Sequence, residues 1–217
     1  MKQDFEKLFI DEVADIYDAE QQILKALPKM IDAVSNGELR NALEQHLSAT
    51  QRQVKRLDQI FSEIGERPSK KCKGMAGLLA EGEEMLKEDY PPIVKDAGII
   101  AAAQRVEHYE IAAYGTARTF ATYLGNDRAV KLLQATLDEE KDADRVMTEL
   151  AYSSINLEAL SESGDDEDAE PDEEDNEEEE VTSGRGNTGR GANSSTSRPA
   201  QRTPERRTRS TRSKAGA

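Results

Sequence analysis

The sequence has little of what several large classes of protein require. Of its 217 residues one is cysteine, none is tryptophan and 5% are aromatic. A single cysteine, Cys72, cannot form an internal disulfide, which indicates a reducing compartment. No apolar run reaches the roughly 18 residues of a membrane span, and the start, MKQDFEKLFIDEV, is too acidic for a secretory signal. We therefore expect a cytoplasmic protein with no membrane contact.

The charged residues divide the chain into three parts. Residues 1–160 hold 20 basic and 29 acidic residues, residues 161–180 hold 14 acidic and no basic ones, and residues 181–217 hold nine basic and one acidic. A block of like charge repels itself, and an Arg/Gly/Ser/Thr-rich segment without apolar periodicity cannot bury a core. The sequence predicts a folded domain over 1–157, an acidic disordered linker over 158–180 and a basic disordered tail over 181–217.

Apolar residues recur every three or four positions through the folded part, which is typical of amphipathic helices. Gly37, Gly65 and Gly125 mark helix ends, since glycine adopts the left-handed cap conformation at little cost. Pro28 is expected to kink or interrupt the first helix.

Residues 66–91 form a connection long enough to travel the length of a bundle whose helices are each about 40 Å long. The tight turns on either side of it make two antiparallel hairpins. Two hairpins joined by a long crossover is the ferritin-like arrangement. We therefore predict an all-α, ferritin-like four-helix bundle with a long crossover connection and a disordered C-terminal tail.

Acidic residues occupy positions that the helical period turns toward the core. At 100° per residue, five acids lie on the inward-facing apolar stripes of the first, third and fourth helices: Glu20, Glu107, Glu110, Glu140 and Asp144. Counted from the two tight turns at about 1.5 Å per residue, all five lie about 22–28 Å along their helices. The sequence thus predicts five carboxylates in one layer of the bundle.

Five carboxylates cannot all stay ionised inside a protein, because isolating one ion there costs several kcal/mol. Four basic side chains near this height point outward by the same angles: Lys25, Arg105, Lys141 and Arg145. Protonation or bound cations remain as solutions. Inward carboxylates from several helices build dinuclear iron and manganese sites in bundles, and carboxylate oxygens suit these hard ions. We expect iron or manganese as the cofactor.

The second helix offers fewer ligands. Gln53 faces the layer and is a candidate additional ligand. His46 faces inward but lies about 14 Å from its turn, about two turns away from the layer. It is therefore either a hydrogen-bonded core histidine or a further ligand. A single inward glutamate can also be an edge residue whose carboxylate reaches water, but the shared height of five acids weighs against this for the set.

Three segments of the chain resemble the YciE/YciF family of ferritin-like bacterial stress proteins: DIYDAEQQILKALPKM, AAAQRVEHYEIAAYGTAR and LLQATLDEEKDADRVMTELA. The connector KKCKGMAGLLAEGEEML is also similar, and the likeness covers about residues 3–155. It implies a ferritin-like bundle, usually dimeric, related to the rubrerythrins and linked to osmotic, oxidative or general stress.

The resemblance also implies site residues. Four acids match the acid positions of a rubrerythrin-like site: Glu20, Glu107, Glu110 and Glu140. Asp144 stands roughly where such sites place a histidine. The departure is on the second helix, where Thr50-x-x-Gln53 replaces Glu-x-x-His, so the resemblance leaves a dinuclear site incomplete.

Three functions are compatible with these features. The first is a stress-associated protein that binds iron or manganese in the bundle core, with ferroxidase or peroxide-reducing activity. The second is a non-catalytic stress or scaffold protein with a degenerate metal site. The third is an oligomeric platform, a homodimer, whose tail of residues 181–217 binds nucleic acid through phosphates. Against the third, that tail has no aromatic residue to stack on bases, and it could simply pair with the acidic linker or keep the chain soluble.

Overall fold

The computed structural model describes residues 2–162, so the predicted tail and most of the predicted linker lie outside the described residues. The helices are α1 Lys2–Ala33, α2 Gly37–Ile64, α3 Lys73–Lys87, α4 Pro92–Leu124, α5 Asp127–Leu150, a π-helical turn Ala151–Ile155 and α6 Asn156–Glu162. No strand occurs between residues 2 and 162, which confirms the all-α class. The helical part continues to Glu162, five residues beyond the predicted end of the bundle.

Local sequence signals end α2 and α4 where the pattern predicts. The side chain of Asn36 caps α2 by accepting hydrogen bonds from the backbone N–H groups of Glu38 and Leu39 at 2.9 and 3.0 Å. Gly65 and Gly125 have φ angles of 73° and 74°. These angles lie in the left-handed region, where a side chain would be strained, so glycine closes both helices.

Pro28 was predicted to kink or interrupt α1, and the interruption is wrong, because α1 runs through this residue to Ala33. Proline removes one backbone N–H and so deprives the carbonyl four residues earlier of its partner. Pro28 lies on the exposed face of the helix, where solvent can replace that bond. The helix therefore tolerates it.

The four long helices form the predicted bundle. α1 packs against α2 and α4, and α5 packs against the same two helices, so α1 and α5 stand on one diagonal of a square. The crossover helix α3 packs outside the square against α1 and α4. Within the described range, none of the helices combines the length and the apolar character that crossing a membrane requires.

The two hairpin turns lie at opposite ends of the bundle. Asp96, near the start of α4, accepts hydrogen bonds from the backbone N–H and hydroxyl of Ser35 and from the N–H of Asn36, at 2.9, 2.6 and 2.7 Å. α4 therefore begins beside the α1–α2 turn. At the other end, Glu63 of α2 forms an ion pair with Arg128 at the start of α5. The crossover thus returns the chain along the full length of the bundle.

The Asp96 carboxylate is a buried anchor for the α1–α2 turn, with no exposed surface. We expect Asp96→Ala to lower the free energy of unfolding by about 2–4 kcal/mol, because it leaves buried donors of the turn without acceptors. Urea unfolding measures this change. The control Asp142→Ala removes only an exposed ion pair with Arg145 and should cost less than about 0.5 kcal/mol. Equal costs for the two variants would contradict the anchoring role.

A second buried carboxylate fixes the start of α3. Asp18 accepts hydrogen bonds from Gln22 at 2.7 Å, from Lys71 at 2.7 Å and from the backbone N–H of Cys72 at 2.9 Å. The Cys72 sulfur in turn accepts from the N–H of Met75 at 3.3 Å and caps the helix. Burial raises the pKa of the Cys72 thiol, so this cysteine is structural rather than reactive.

Candidate metal centre

Four potential ligands from three helices meet inside the bundle. His46 belongs to α2, Glu107 and Glu110 to α4, and Glu140 to α5, and one ligand atom from each lies within 4.8 Å of the others. Their exposed fractions are between 0 and 6%. The ligands of a tetrahedral divalent ion such as zinc, each about 2.0–2.2 Å from the ion, are about 3.3–3.6 Å apart. The group could therefore close on an ion with side-chain movements below about 1 Å.

Glu20 of α1 adjoins this group and is fully buried. The carboxyl groups of Glu20 and Glu110, and those of Glu107 and Glu140, lie close enough to share a hydrogen bond. Two carboxyl groups can share a hydrogen bond only when one of them is protonated. Tyr114, also fully buried, donates its hydroxyl proton to Glu20. Without a cation, at least one proton in each pair would let its two carboxyl groups share a hydrogen bond.

The protonation of the cluster follows from its burial. Burial, followed by the charges of neighbouring glutamates, raises the pKa of Glu20, Glu107 and Glu110 well above 4.5. Burial also raises the pKa of Glu140 to about 7 and lowers the pKa of His46 to about 4. His46 is thus neutral at pH 7. Its Nε2 atom, 3.3 Å from Glu107, does not take part in an ion pair.

The cluster contains most of the unsatisfied buried polar atoms of the described residues. Of seven such side-chain atoms, six belong to the cluster and to Gln53 beside it: Glu20 Oε2, His46 Nε2, Gln53 Oε1, Glu107 Oε2, Glu110 Oε1 and Glu140 Oε2. A buried polar atom without a partner costs about 1–3 kcal/mol. Each of the six has a lone pair when the acids are ionised and the neutral imidazole carries its proton on Nδ1. A cation among them would therefore satisfy atoms that the protein leaves unpaired.

Gln53 lies at the layer, where the sequence places it. Its amide N–H₂ donates to Glu140 and, at 3.2 Å, to Glu139. The four basic side chains predicted to point outward are exposed: Lys25, Arg105, Lys141 and Arg145. Sequence reasoning missed Arg56, three residues after Gln53, which binds Glu139 through two hydrogen bonds of 2.6 and 2.7 Å. Its charge lowers the pKa of Glu140 only partly against the effect of burial.

Asp144 lies at the edge of the layer. It is half-buried, accepts a hydrogen bond from Gln104 at 3.0 Å and lies 3.2 Å from Nε2 of the exposed His108. The prediction that all five acids point into the core is therefore wrong for Asp144. Four residues turn a helix by about 400°, so Asp144 is rotated by about 40° from Glu140 and faces the outer side of α4. Its role as a ligand stays a prediction.

The structure also corrects the predicted separation between His46 and the layer of acids. The predicted heights were counted from two turns as though they lay at one end, whereas the turns lie at opposite ends. Counted from the end where Asp96 meets Asn36, His46 lies about 15 Å along α2 and Glu107 about 16 Å along α4. The two side chains therefore meet. Glu20, Glu110 and Glu140 lie near the middle of the bundle and have similar heights from either end, so the error did not show in them, whereas the height of Glu107 changes from about 28 Å to about 16 Å.

The fold and the site together define an all-helical, ferritin-like bundle protein with a buried carboxylate–histidine cluster. The chain belongs to the family described as "Domain of unknown function (DUF892)", which matches residues 4–160. It is 44% identical over 156 residues to protein YciF of Escherichia coli, an alignment that covers 71% of this chain and 94% of YciF. The resemblance found in the sequence is thereby confirmed.

Solved structures agree with this assignment. The crystal structure of the E. coli stress protein YciF has a TM-score of 0.67 and 44% identity, covering 70% of this chain and 97% of YciF. YcfI from Rhodopseudomonas palustris has a TM-score of 0.65 and 46% identity, covering 66% of this chain and 92% of its own. A Xanthomonas campestris protein with 18% identity and a TM-score of 0.60 shares the fold alone.

Proposed function

We propose that this protein is a stress-associated, YciF-like protein that binds iron or manganese in the core of its bundle. The carrying observation is that ligand atoms of His46, Glu107, Glu110 and Glu140 lie within 4.8 Å of one another, and that each of these residues has a buried polar atom without a hydrogen-bond partner. Three carboxylates and one imidazole, with a fourth carboxylate beside them, are a mixed oxygen–nitrogen donor set that suits these ions. Two divalent ions would balance the four carboxylate charges.

The chain's own groups prepare this site in distinct ways. His46, Glu107, Glu110 and Glu140 would hold the first ion, and Glu20 adds a carboxylate next to Glu110 for a second. Iron or manganese held there would supply one-electron redox chemistry toward dioxygen or peroxide. Tyr114 and Gln53 orient ligand carboxylates by hydrogen bonds, as partners behind a metal ligand commonly do. The protons held by the carboxyl groups would leave when the ions bind.

Metal analysis of the full chain tests the proposal. Protein purified without chelator is loaded with Mn²⁺, or with Fe²⁺ without oxygen, and freed from unbound metal. We expect at least one ion per chain by elemental analysis, since the ligand atoms are already assembled. A content well below one ion per chain for both metals would reject the proposal.

Asp144→Asn tests the edge of the site. Because Asp144 is held by Gln104 and His108 rather than by the cluster, this variant should keep the metal content of the unchanged protein. Elemental analysis after the same loading measures the outcome. Loss of an ion in Asp144→Asn would make Asp144 a ligand, as its place in the sequence pattern first predicted.

A scaffold function without metal is the second candidate, and the carboxyl pairs favour it. Hydrogen-bonded pairs, with Tyr114 and Gln53 as further donors, let the cluster exist in its protonated state. Such a protein would fail the metal analysis and retain its fold. Homodimer formation, and nucleic-acid binding by residues 181–217, stay predictions.

A further inference from the structure

Two small cavities adjoin beneath the crossover helix α3. The outer cavity extends to the surface at Lys29 and Glu83, whose ion pair of 2.6 Å joins α1 to α3. The inner cavity lies at His46 and Glu107. Four residues line both of them: Ala26, Met30, Leu79 and Val106. The two cavities therefore share a wall, and we call the pair the α3 passage.

The inner end of the α3 passage reaches the candidate metal centre. His46 and Glu107 line the inner cavity together with apolar side chains that include Ile23 and Leu43. Both polar residues belong to the group of four converging ligands. The Nε2 atom of His46 and the Oε2 atom of Glu107 are buried without hydrogen-bond partners. The passage therefore ends at unsatisfied ligand atoms.

The lining of the passage selects what can occupy it. Apart from the residues at its two ends, the side chains named for it are aliphatic, alanine or methionine. A buried water needs two to four polar partners, whereas apolar cavities stay dry and take up apolar guests such as xenon. Each cavity has room for about one molecule the size of water. The fitting occupant is a small apolar molecule.

A second route approaches the centre from the opposite face and has different chemistry. A cleft of about 790 Å³ between α2 and α5 also reaches His46, but Arg52, Glu139, Asp142 and Arg145 line it. Charged walls of this kind suit ions and polar molecules. An ion therefore has no need of the α3 passage, which leaves that passage to an uncharged reactant.

We propose that the α3 passage binds dioxygen and conducts it to the His46–Glu107 side of the metal centre. The geometry carries the proposal: two apolar cavities that share four lining residues lie between the surface at α3 and the candidate ligands His46 and Glu107. The role as a supply route rests on the proposed metal function, because dioxygen needs a redox ion at the inner end. The binding of dioxygen itself needs no metal.

The first experiment uses the full chain without metal. Dissolved dioxygen is paramagnetic and broadens the NMR signals of methyl groups near which it resides. In oxygen-saturated buffer we expect several-fold greater broadening for Leu79, Val106 and Leu43 than for Leu57 and Ile60. The last two belong to the other hydrophobic cluster of the bundle and are each 1% exposed, as Leu43 is, so they serve as an internal control. Equal broadening of the two sets would overturn the proposal.

A plug in the passage gives the second experiment. Ala26 lines both cavities, so Ala26→Leu should fill their junction and remove the excess broadening. The matched control is Ala42→Leu, which places the same side chain in the polar cleft and should leave the broadening unchanged. Leu79→Phe serves as an alternative plug if Ala26→Leu does not fold. Undiminished broadening in a folded plugged variant would overturn the proposal.

A third experiment, on iron-loaded protein, tests whether the α3 passage supplies the metal centre. Ala26→Leu should retain the iron content of the unchanged protein but slow the oxidation of bound Fe²⁺ by dissolved dioxygen several-fold. An unchanged oxidation rate would overturn the supply role. Failure of the broadening experiment with normal metal content would reject the passage alone. Normal broadening in a protein that binds no metal would reject the proposed function and the supply role, and leave only a gas-binding cavity.

Discussion

Saturating Mn²⁺ is expected to raise the melting temperature of the metal-free protein by about 5–10 °C at pH 8. A ligand at about 100 times its dissociation constant adds about 2.7 kcal/mol to the free energy of unfolding. For a chain of this size, 1 kcal/mol corresponds to about 2–4 °C. The ion would replace repulsion among Glu20, Glu107, Glu110 and Glu140 by attraction. Thermal unfolding monitored by circular dichroism, with and without the ion, measures the shift.

Glu110→Gln should have two effects of opposite sign. It should abolish most of the shift caused by Mn²⁺, because the variant lacks one of the converging carboxylates. In the absence of metal it should raise the free energy of unfolding at pH 8 by about 1–3 kcal/mol, because the folded protein no longer has to keep a buried carboxyl group protonated at a pH where the unfolded chain is ionised. The amide N–H₂ can donate to Glu20 as a protonated Glu110 would. A purely structural role for Glu110 would not combine a gain in metal-free stability with a loss of the shift caused by Mn²⁺.

The control for Glu110→Gln is Glu158→Gln, an exposed position on α6. This substitution should change the unfolding free energy by less than about 0.5 kcal/mol and leave the metal shift intact. If Glu110→Gln lost stability without metal and kept the shift caused by Mn²⁺, the cluster would be a structural network rather than a cation site.

The metal-free protein is expected to lose stability as the pH rises from about 5 to 8. The pKa values of Glu20, Glu107 and Glu110 are well above 4.5 in the folded state because of burial, and burial raises the pKa of Glu140 to about 7. Between pH 4.5 and these raised values the folded protein holds protons that the unfolded chain has released. The free energy of unfolding must therefore fall with rising pH. Glu140 alone accounts for about 3 kcal/mol.

Other titratable groups limit the pH range over which the stability falls. Burial lowers the pKa of His46 from 6.5 to about 4, so its contribution is present above pH 6.5 and is lost as the pH falls toward 4. Hydrogen bonds hold the pKa of Asp18 and Glu139 below their ordinary values, although burial opposes this, and their stabilisation is lost only below about pH 4.5. Because several acids oppose one histidine, maximum stability should lie near pH 5–6.

Chemical denaturation across pH 4.5–8.5 measures this profile. The double variant Glu107→Gln/Glu140→Gln should flatten it, because the amides do not titrate. Saturating Mn²⁺ should invert the slope, since the ion binds only ionised carboxylates and neutral imidazole and so binds more tightly at higher pH. A metal-free protein whose stability increased steadily from pH 5 to 8 would contradict the buried, uncompensated carboxylates.

The sequence predicted the faces of the helices well. Glu20, Glu107, Glu110 and Glu140 lie inside the bundle, because the helical period and the apolar stripe fix which side of a helix is buried whatever it packs against. Gly65 and Gly125 end their helices because the left-handed backbone angles there strain any side chain. Such features depend on neighbours along the chain, so they can be read from it.

Which side chains face each other was decided only by the tertiary structure. His46 meets Glu107 because the two hairpin turns lie at opposite ends, which the direction of the crossover determines and no helical period encodes. Asp144 belongs to the apolar stripe of α5, but this stripe is wider than the part of the helix surface that faces the bundle axis. The carboxylate of Asp144 therefore lies to one side, where it contacts Gln104 and His108 of α4. The sequence by itself thus determined which side chains are buried. The packing of the helices decided which of them share an ion, because a centre needs atoms from different helices at one height and one angle.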